Sequence, residues 1–262
     1  MRYILQDFED TRKLGTVLER MGLPYSWHKV VPFVGELDPE PEVATGEDVI
    51  LFGSYTLWRY AERRGLRPGV FRIRPTLRET AWQPFLLNGE ATVSPLRDLP
   101  DLLSEPERPW FVRPVADSKE IAGRVMNAGE IVALARQVCV LKPEELIGGS
   151  LSPETEMMLA PPRRIRKEWR VWVVADVVVT ASLYVEGRRI VYRPEIDDDA
   201  RAFAERLVGA NPGYAPAYVM DVCRTEDGLR LLETNCLNAA GFYAADLQAL
   251  VEALEGLDTA RP

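Results

Sequence analysis

The chain has 262 residues, with 32 Lys+Arg against 40 Asp+Glu, a formal net charge of −8, one His and three Cys. An acidic excess of this size disfavours general polyanion binding, because nucleic-acid affinity comes mostly from neutralised phosphates. One His (His28) excludes a multi-His zinc site and offers a Ser-His-Asp triad no nucleophile motif nearby.

Cys139, Cys223 and Cys236 are too widely spaced for Cys-x-x-Cys chemistry and read as small buried hydrophobes. Of the basic residues only Lys13, Lys29, Lys119, Lys142 and Lys167 are lysines, so each is informative. No apolar run reaches the ~18 residues of a membrane span. The start, MRYILQDFED, meets acids too soon for a signal peptide. A soluble, cytoplasmic protein is expected.

The apolar run 2–6 predicts a buried strand, followed by a helix capped at Asp10 or Thr11 and ended by Gly22. Residues 25–31 read as a second strand and the acidic, Pro-rich 35–47 as a loop. Residues 49–52 form another strand, and Ser54 can cap a helix running to Gly65. This alternation predicts a small α/β unit with a mostly parallel sheet. Residues 94–109 carry four prolines among acids and read as a linker. Two domains follow, 1–105 and 106–262. In the second, strands are expected at 110–113, 156–159, 169–174, 177–183, 218–222 and 229–233, with helices at 129–138, 197–207 and 244–254. Ala175-Asp176 reads as a tight hairpin turn.

Three stretches carry the chemistry. In 220–235, MDVCRTEDGLRLLETN, a hairpin turn at Asp227-Gly228 brings Asp221 beside Glu233 and Asn235, and the latter two share a strand face. Two carboxylates and a carboxamide oxygen make a hard, all-oxygen site suited to Mg²⁺. The ordinary reading of such a set is a solvated hairpin. Here both acids end apolar strands, where exposure is not the default. In 110–123, WFVRPVADSKEIAG, a strand delivers Arg113 and a small-residue loop carries Lys119, a combination able to hold phosphates. In 163–184, Glu168 and Arg170 share a strand face, either as an ion pair or as holders of an anion and a metal-bound phosphate.

Together these stretches resemble the ATP-grasp enzymes over residues 105–255. Asp221-x11-Glu233-x-Asn235 is similar to that family's metal motif. Phe111-Val112-Arg113-Pro114 stands where many members have Lys-Pro, and Glu168-Trp169-Arg170 matches their central strand. The closer resemblance is to a clade of phage and bacterial ATP-grasp proteins regarded as peptide ligases. That clade shares Arg-Pro, a Lys-plus-Gly loop (here 119–123), an EWR strand, and Glu-x-Asn running on through Gly241-Phe242-Tyr243 to Asp246. Residues 52–69 also look like its N-terminal α/β domain.

The resemblance implies an α/β, pre-ATP-grasp-like N-terminal domain and an α+β ATP-grasp fold with antiparallel sheets. It implies an ATP-dependent carboxylate–amine ligase working through an acylphosphate. Arg113, Lys119 and Glu168 would bind nucleotide, and Arg170 and Lys119 would serve catalysis. Asp221, Glu233 and Asn235 would hold Mg²⁺, with Mn²⁺ as an alternative. Which of Lys119, Lys142 and Lys167 is the second phosphate lysine stays open, with Lys119 favoured by its loop. Adenine would rest near 156–161, and Gly53-Ser54 with loop 238–243 would shape small-molecule or peptide substrates. An ATP-grasp kinase and a non-catalytic nucleotide-binding module are the alternatives. No nucleic-acid or membrane partner is expected, and His28 reads as a strand or loop residue.

Overall fold

A computed structural model of the chain describes residues 1–31, 34–115, 122–142 and 151–257. They form two compact units: residues 1–74 with 165–262, and residues 75–164. Position 105 therefore lies inside the second unit.

The first pass through unit one builds a sheet from β1 (Arg2–Gln6), β2 (Tyr25–Val30), β3 (Leu37–Asp38), β4 (Val49–Phe52) and β5 (Pro68–Gly69), in the order β3-β2-β1-β4-β5. β1 pairs in parallel with β2 and β4, and β4 with β5; only β3 is antiparallel. Helix α1 (Glu9–Met21) follows β1 and helix α2 (Thr56–Arg64) follows β4. Strand alternation sends Tyr3, Leu5, Ile50 and Phe52 to the α1 side. Ile4, Val49 and Leu51 meet Leu57, Tyr60 and Ala61 of α2 on the other.

Both helices start away from their expected caps. α1 begins earlier, because the Phe8 amide donates to Thr11 Oγ1 at 3.0 Å and Thr11 caps from inside the first turn. α2 begins later, the Leu57 amide donating to the Ser54 carbonyl. Gly22 and Gly65 end them in the left-handed region. His28 is buried, with Nδ1 at 2.5 Å from the Pro39 carbonyl and Nε2 at 2.6 Å from Ser26 Oγ, a structural role.

Unit two contains the sheet β6-β9-β7-β8, made of β6 (Thr92–Pro95), β7 (Pro109–Pro114), β8 (Arg124–Asn127) and β9 (Glu156–Ala160), with helices α3 (Leu99–Leu102) and α4 (Ala128–Cys139). The stretch 94–109 is thus no linker: Leu96 and Leu99 are fully buried against Val112, Ile131 and Leu159. Its prolines mislead because Pro95 ends an edge strand and Pro100 sits in the first turn of α3, where no N–H is required. Cys139, at the end of α4, is exposed rather than buried.

The chain then returns to unit one with β10 (Lys167–Val174), β11 (Val177–Glu186), β12 (Arg189–Arg193), helix α5 (Asp198–Ala210), β13 (Ala217–Thr225), β14 (Gly228–Asn235) and helix α6 (Leu247–Glu255). The sheet is antiparallel, in the order β12-β11-β10-β13-β14. Ala175 and Asp176, at φ 49° and 59°, make the β10–β11 turn, whose mirror-image geometry matches strand twist. Trp172, Val174, Ala217 and Val219 of this sheet and Leu250, Val251 and Leu254 of α6 share one core with the α1 side of the parallel sheet. Among the described residues no helix is long and apolar enough to cross a membrane.

Candidate active site

Strand register assembles the site on one sheet face of unit one. Arg170 of β10 lies opposite Asp221 of β13, and Asp221 lies opposite Glu233 of β14. Directly opposed residues point to the same face, and Glu168 and Asn235 join them two residues along their own strands. A register shift after Asp221 lets it face Glu233 while Val222 pairs with Leu231.

Arg170 donates from Nε to Asp221 Oδ1 at 2.9 Å and from Nη2 to Oδ2 at 2.8 Å, a bidentate pair. Asp221 is 1% exposed and Arg170 9%. Burial pushes the Asp221 carboxyl up while the adjacent guanidinium pulls it down. Arg170 stays a cation throughout, so the two form an ion pair. Asn235 Nδ2 donates to Asp221 Oδ2 at 3.1 Å and to Glu233 Oε1 at 3.4 Å, tying the two acids together.

Two tyrosines lie against the guanidinium: Tyr243, from the Gly241-Phe242-Tyr243 stretch, and Tyr184, which no motif had singled out. Arg170 Cζ lies 4.7 Å from the Tyr243 ring centre and 5.6 Å from that of Tyr184. Those rings stack at 5.1 Å, and Tyr192 stacks on Tyr243 at 5.0 Å. Tyr184 donates its hydroxyl to Glu168, whose carboxyl is raised first of all by burial. Folding the hairpin about Ala175-Asp176 brings Tyr184 near Glu168, a signal already present in the sequence. Tyr243 sits at φ 51°, a costly conformation for a bulky residue and a frequent mark of functional loops.

The donor set suits a hard cation. A carboxylate offers about four lone-pair sites, and Asp221 has three accepted hydrogen bonds, which leaves capacity on Oδ1. Glu233 and the Asn235 carboxamide supply further oxygens of the type magnesium takes. Among the described residues no group of three His, Cys, Asp or Glu is placed to hold a metal ion.

Arg113 is on β7 in unit two, opposite Met158 of β9. The helices of that unit pack on the face carrying Val112, Met157 and Leu159. Alternation therefore puts Arg113, Met158 and Ala160 on the other face. Gly123 approaches that face closely: a Cβ there would come within 2.8 Å of the Phe111 ring. Lys119 lies outside the described residues. Lys167 is held by Asp197 at 3.0 Å, and Lys142 is exposed beyond α4.

A cleft of about 480 Å³ opens at the C-terminal ends of β1 and β4 in unit one, lined by 8–11, 53–54 and the loop 238–243. Asn238 braces that loop: its side chain accepts from the Phe71 amide and donates to the Leu51 carbonyl.

A family model described as the ATP-grasp domain, R2K clade family 3, matches residues 61–254, and the chain belongs to that family. No curated protein matches it. Among solved structures it is similar to the D-cycloserine synthetase DcsG, with TM-score 0.63, 16% identity, and 97% of this chain and 98% of that one covered. A RimK-domain ATP-grasp protein from Sphaerobacter thermophilus matches with TM-score 0.57 and 16% identity over 99% and 96% of the two chains. The macrocyclase MdnC from Microcystis aeruginosa, bound with precursor peptide MdnA, matches with TM-score 0.55 and 11% identity over 98% and 100%. At these identities the likeness establishes the fold: a mixed α/β chain with antiparallel sheets, of the ATP-grasp type.

Proposed function

We propose that the chain is an ATP-dependent carboxylate–amine ligase. A substrate carboxylate takes the γ-phosphoryl group of ATP to give an acylphosphate, and an amine then displaces phosphate to leave an amide, ADP and phosphate. Family membership supports the reading. One observation carries it: a buried guanidinium, two carboxylates and a carboxamide share one face, in a register that fixes their spacing.

Arg170 is the residue proposed to stabilise anionic oxygens on the reacting carbon and phosphorus. Its charge is permanent and its direction is set before reaction, which is how preorganised electrostatics lower a barrier. Arg113 and Lys119 are proposed as phosphate contacts, Lys119 also serving the transfer, and Glu168 as a nucleotide contact. Asp221, Glu233 and Asn235 would hold Mg²⁺, or Mn²⁺ in its place, which supplies neutralising charge to the phosphates. The proposed substrates are small-molecule or peptide carboxylates and amines. The structural relatives span a D-cycloserine synthetase and a macrocyclase with its precursor peptide.

The test is phosphate release from Mg·ATP, screened against amino acids and dipeptides. Release that requires an added amine supports the ligase. A stable phosphorylated acceptor would replace it with a phosphotransferase, and ATP binding with no phosphate release under any condition with an idle nucleotide site.

A further inference from the structure

The cleft in unit one stands at a special place in its sheet. The chain leaves β1 for β2 on one side and places β4 on the other, with α1 and α2 on opposite faces. The gap between β1 and β4 is therefore a topological switch point, where parallel sheets of this kind bind ligands beyond the carboxyl ends of their strands. The cleft also shares a wall with the charged site. Arg170 Nη1 donates to the Gly241 carbonyl at 3.5 Å, and Tyr243 carries Arg170 on its ring.

The lining selects by charge. Asp10 Oδ1 accepts from the Lys13 ammonium at 3.0 Å, while its Oδ2 lies so close to Gly241 that a Cβ there would approach it to 3.2 Å. Gly241 has no positive φ, so its glycine matters for space rather than backbone freedom. Among the described residues, Glu9 is the second carboxylate of the lining and Lys13 its only cation. Two carboxylates against one ammonium and about +0.5 charge from the α1 dipole leave the cleft net negative. Phe8 and Tyr192 add aromatic surface to the lining, whose negative quadrupole also favours a cation.

We propose that this cleft receives a substrate through a protonated amine borne on an apolar or aromatic body. The inference rests on the ligase reading and names a substrate class for it. Acidic amines such as aspartate and glutamate are disfavoured.

Two probes of one body and opposite charge test it by titration calorimetry without ATP: phenylalaninamide and N-acetylphenylalanine. Phenylalaninamide is expected to bind at least tenfold tighter. Asp10→Asn should shrink that ratio to threefold or less, and Lys13→Gln should widen it. The Asp10–Lys13 pair is exposed and contributes little to stability, so both variants should fold. Equal binding, preference for the anion, a ratio untouched by both variants, or binding of neither probe at millimolar concentration would each overturn the proposal. Phosphate release separates the two claims. Turnover with acidic amines as good as any other sinks the cleft assignment and spares the ligase. The charge preference in binding without amine-dependent turnover does the reverse.

Discussion

Arg170 and Asp221 grip each other across neighbouring strands, Nε to Oδ1 at 2.9 Å and Nη2 to Oδ2 at 2.8 Å, with the carboxylate 1% exposed. Removing one partner of such a pair strands a buried charge, at a cost of about 3–5 kcal/mol. Asp221→Ala is therefore expected to lower unfolding stability by about that much in urea titration. Arg170→Met in the same chain should recover much of the loss. Strictly additive losses would mean that the two side chains do not interact.

Glu233→Gln is expected to abolish Mg²⁺-dependent ATP turnover while leaving circular dichroism and the urea midpoint unchanged. Wild-type turnover in this variant would remove Glu233 from the metal set.

Arg113→Ala is expected to raise the KM for ATP about tenfold or more, from the loss of a charge-assisted contact. An unchanged KM would take Arg113 out of the phosphate site.

Burial, the largest cause, raises the Glu168 carboxyl above its ordinary value, and the Tyr184 hydrogen bond opposes it. An acid raised in the folded state adds stability fully below its unfolded value and loses that contribution as pH rises through the folded value. Ionisation of Glu168 as pH rises therefore weighs against the fold. Glu168→Gln, which keeps an acceptor for Tyr184, should raise the urea midpoint at pH 7 and match wild type near about pH 4. A difference independent of pH would remove the buried charge as its cause.

The thiols should divide by burial. Cys139 is exposed, whereas Cys223 and Cys236 are buried, and burial pushes the Cys223 thiol up to about 12. A chromogenic disulfide reagent is expected to titrate Cys139 quickly in the native protein and all the thiols only in denaturant. Fast native reaction at Cys223 would contradict the closed β10–β13 pairing around it.

Elements with strong periodicity were legible from residues alone: β1, β4 and the β10–β11 hairpin follow from apolar runs and a turn. Three features were not. β12 has Ile190 and Tyr192 exposed on an edge, so it lacks the buried alternation that marks a strand. Prolines in 94–109 hid a packed segment because they occupy positions that need no N–H. Strand spacing revealed the Asp221, Glu233 and Asn235 group, yet the stacked ring pair against Arg170 depends on Tyr184 and Tyr243 meeting across the sheet and a loop, which local pattern does not encode.

The core shared by the beginning and end of the chain has a consequence for biosynthesis. Tyr3, Leu5, Ile50 and Phe52 are covered by Trp172, Val219 and α6, and Leu254 closes the cluster. A ribosome adding about 5–20 residues per second takes roughly 10–40 s to travel from Phe52 to Leu254. During that interval α1 is the only helix of this cluster already made, and the part of the face that Trp172, Val219 and α6 cover is still open. Full burial of the cluster waits for α6, the last helix among the described residues.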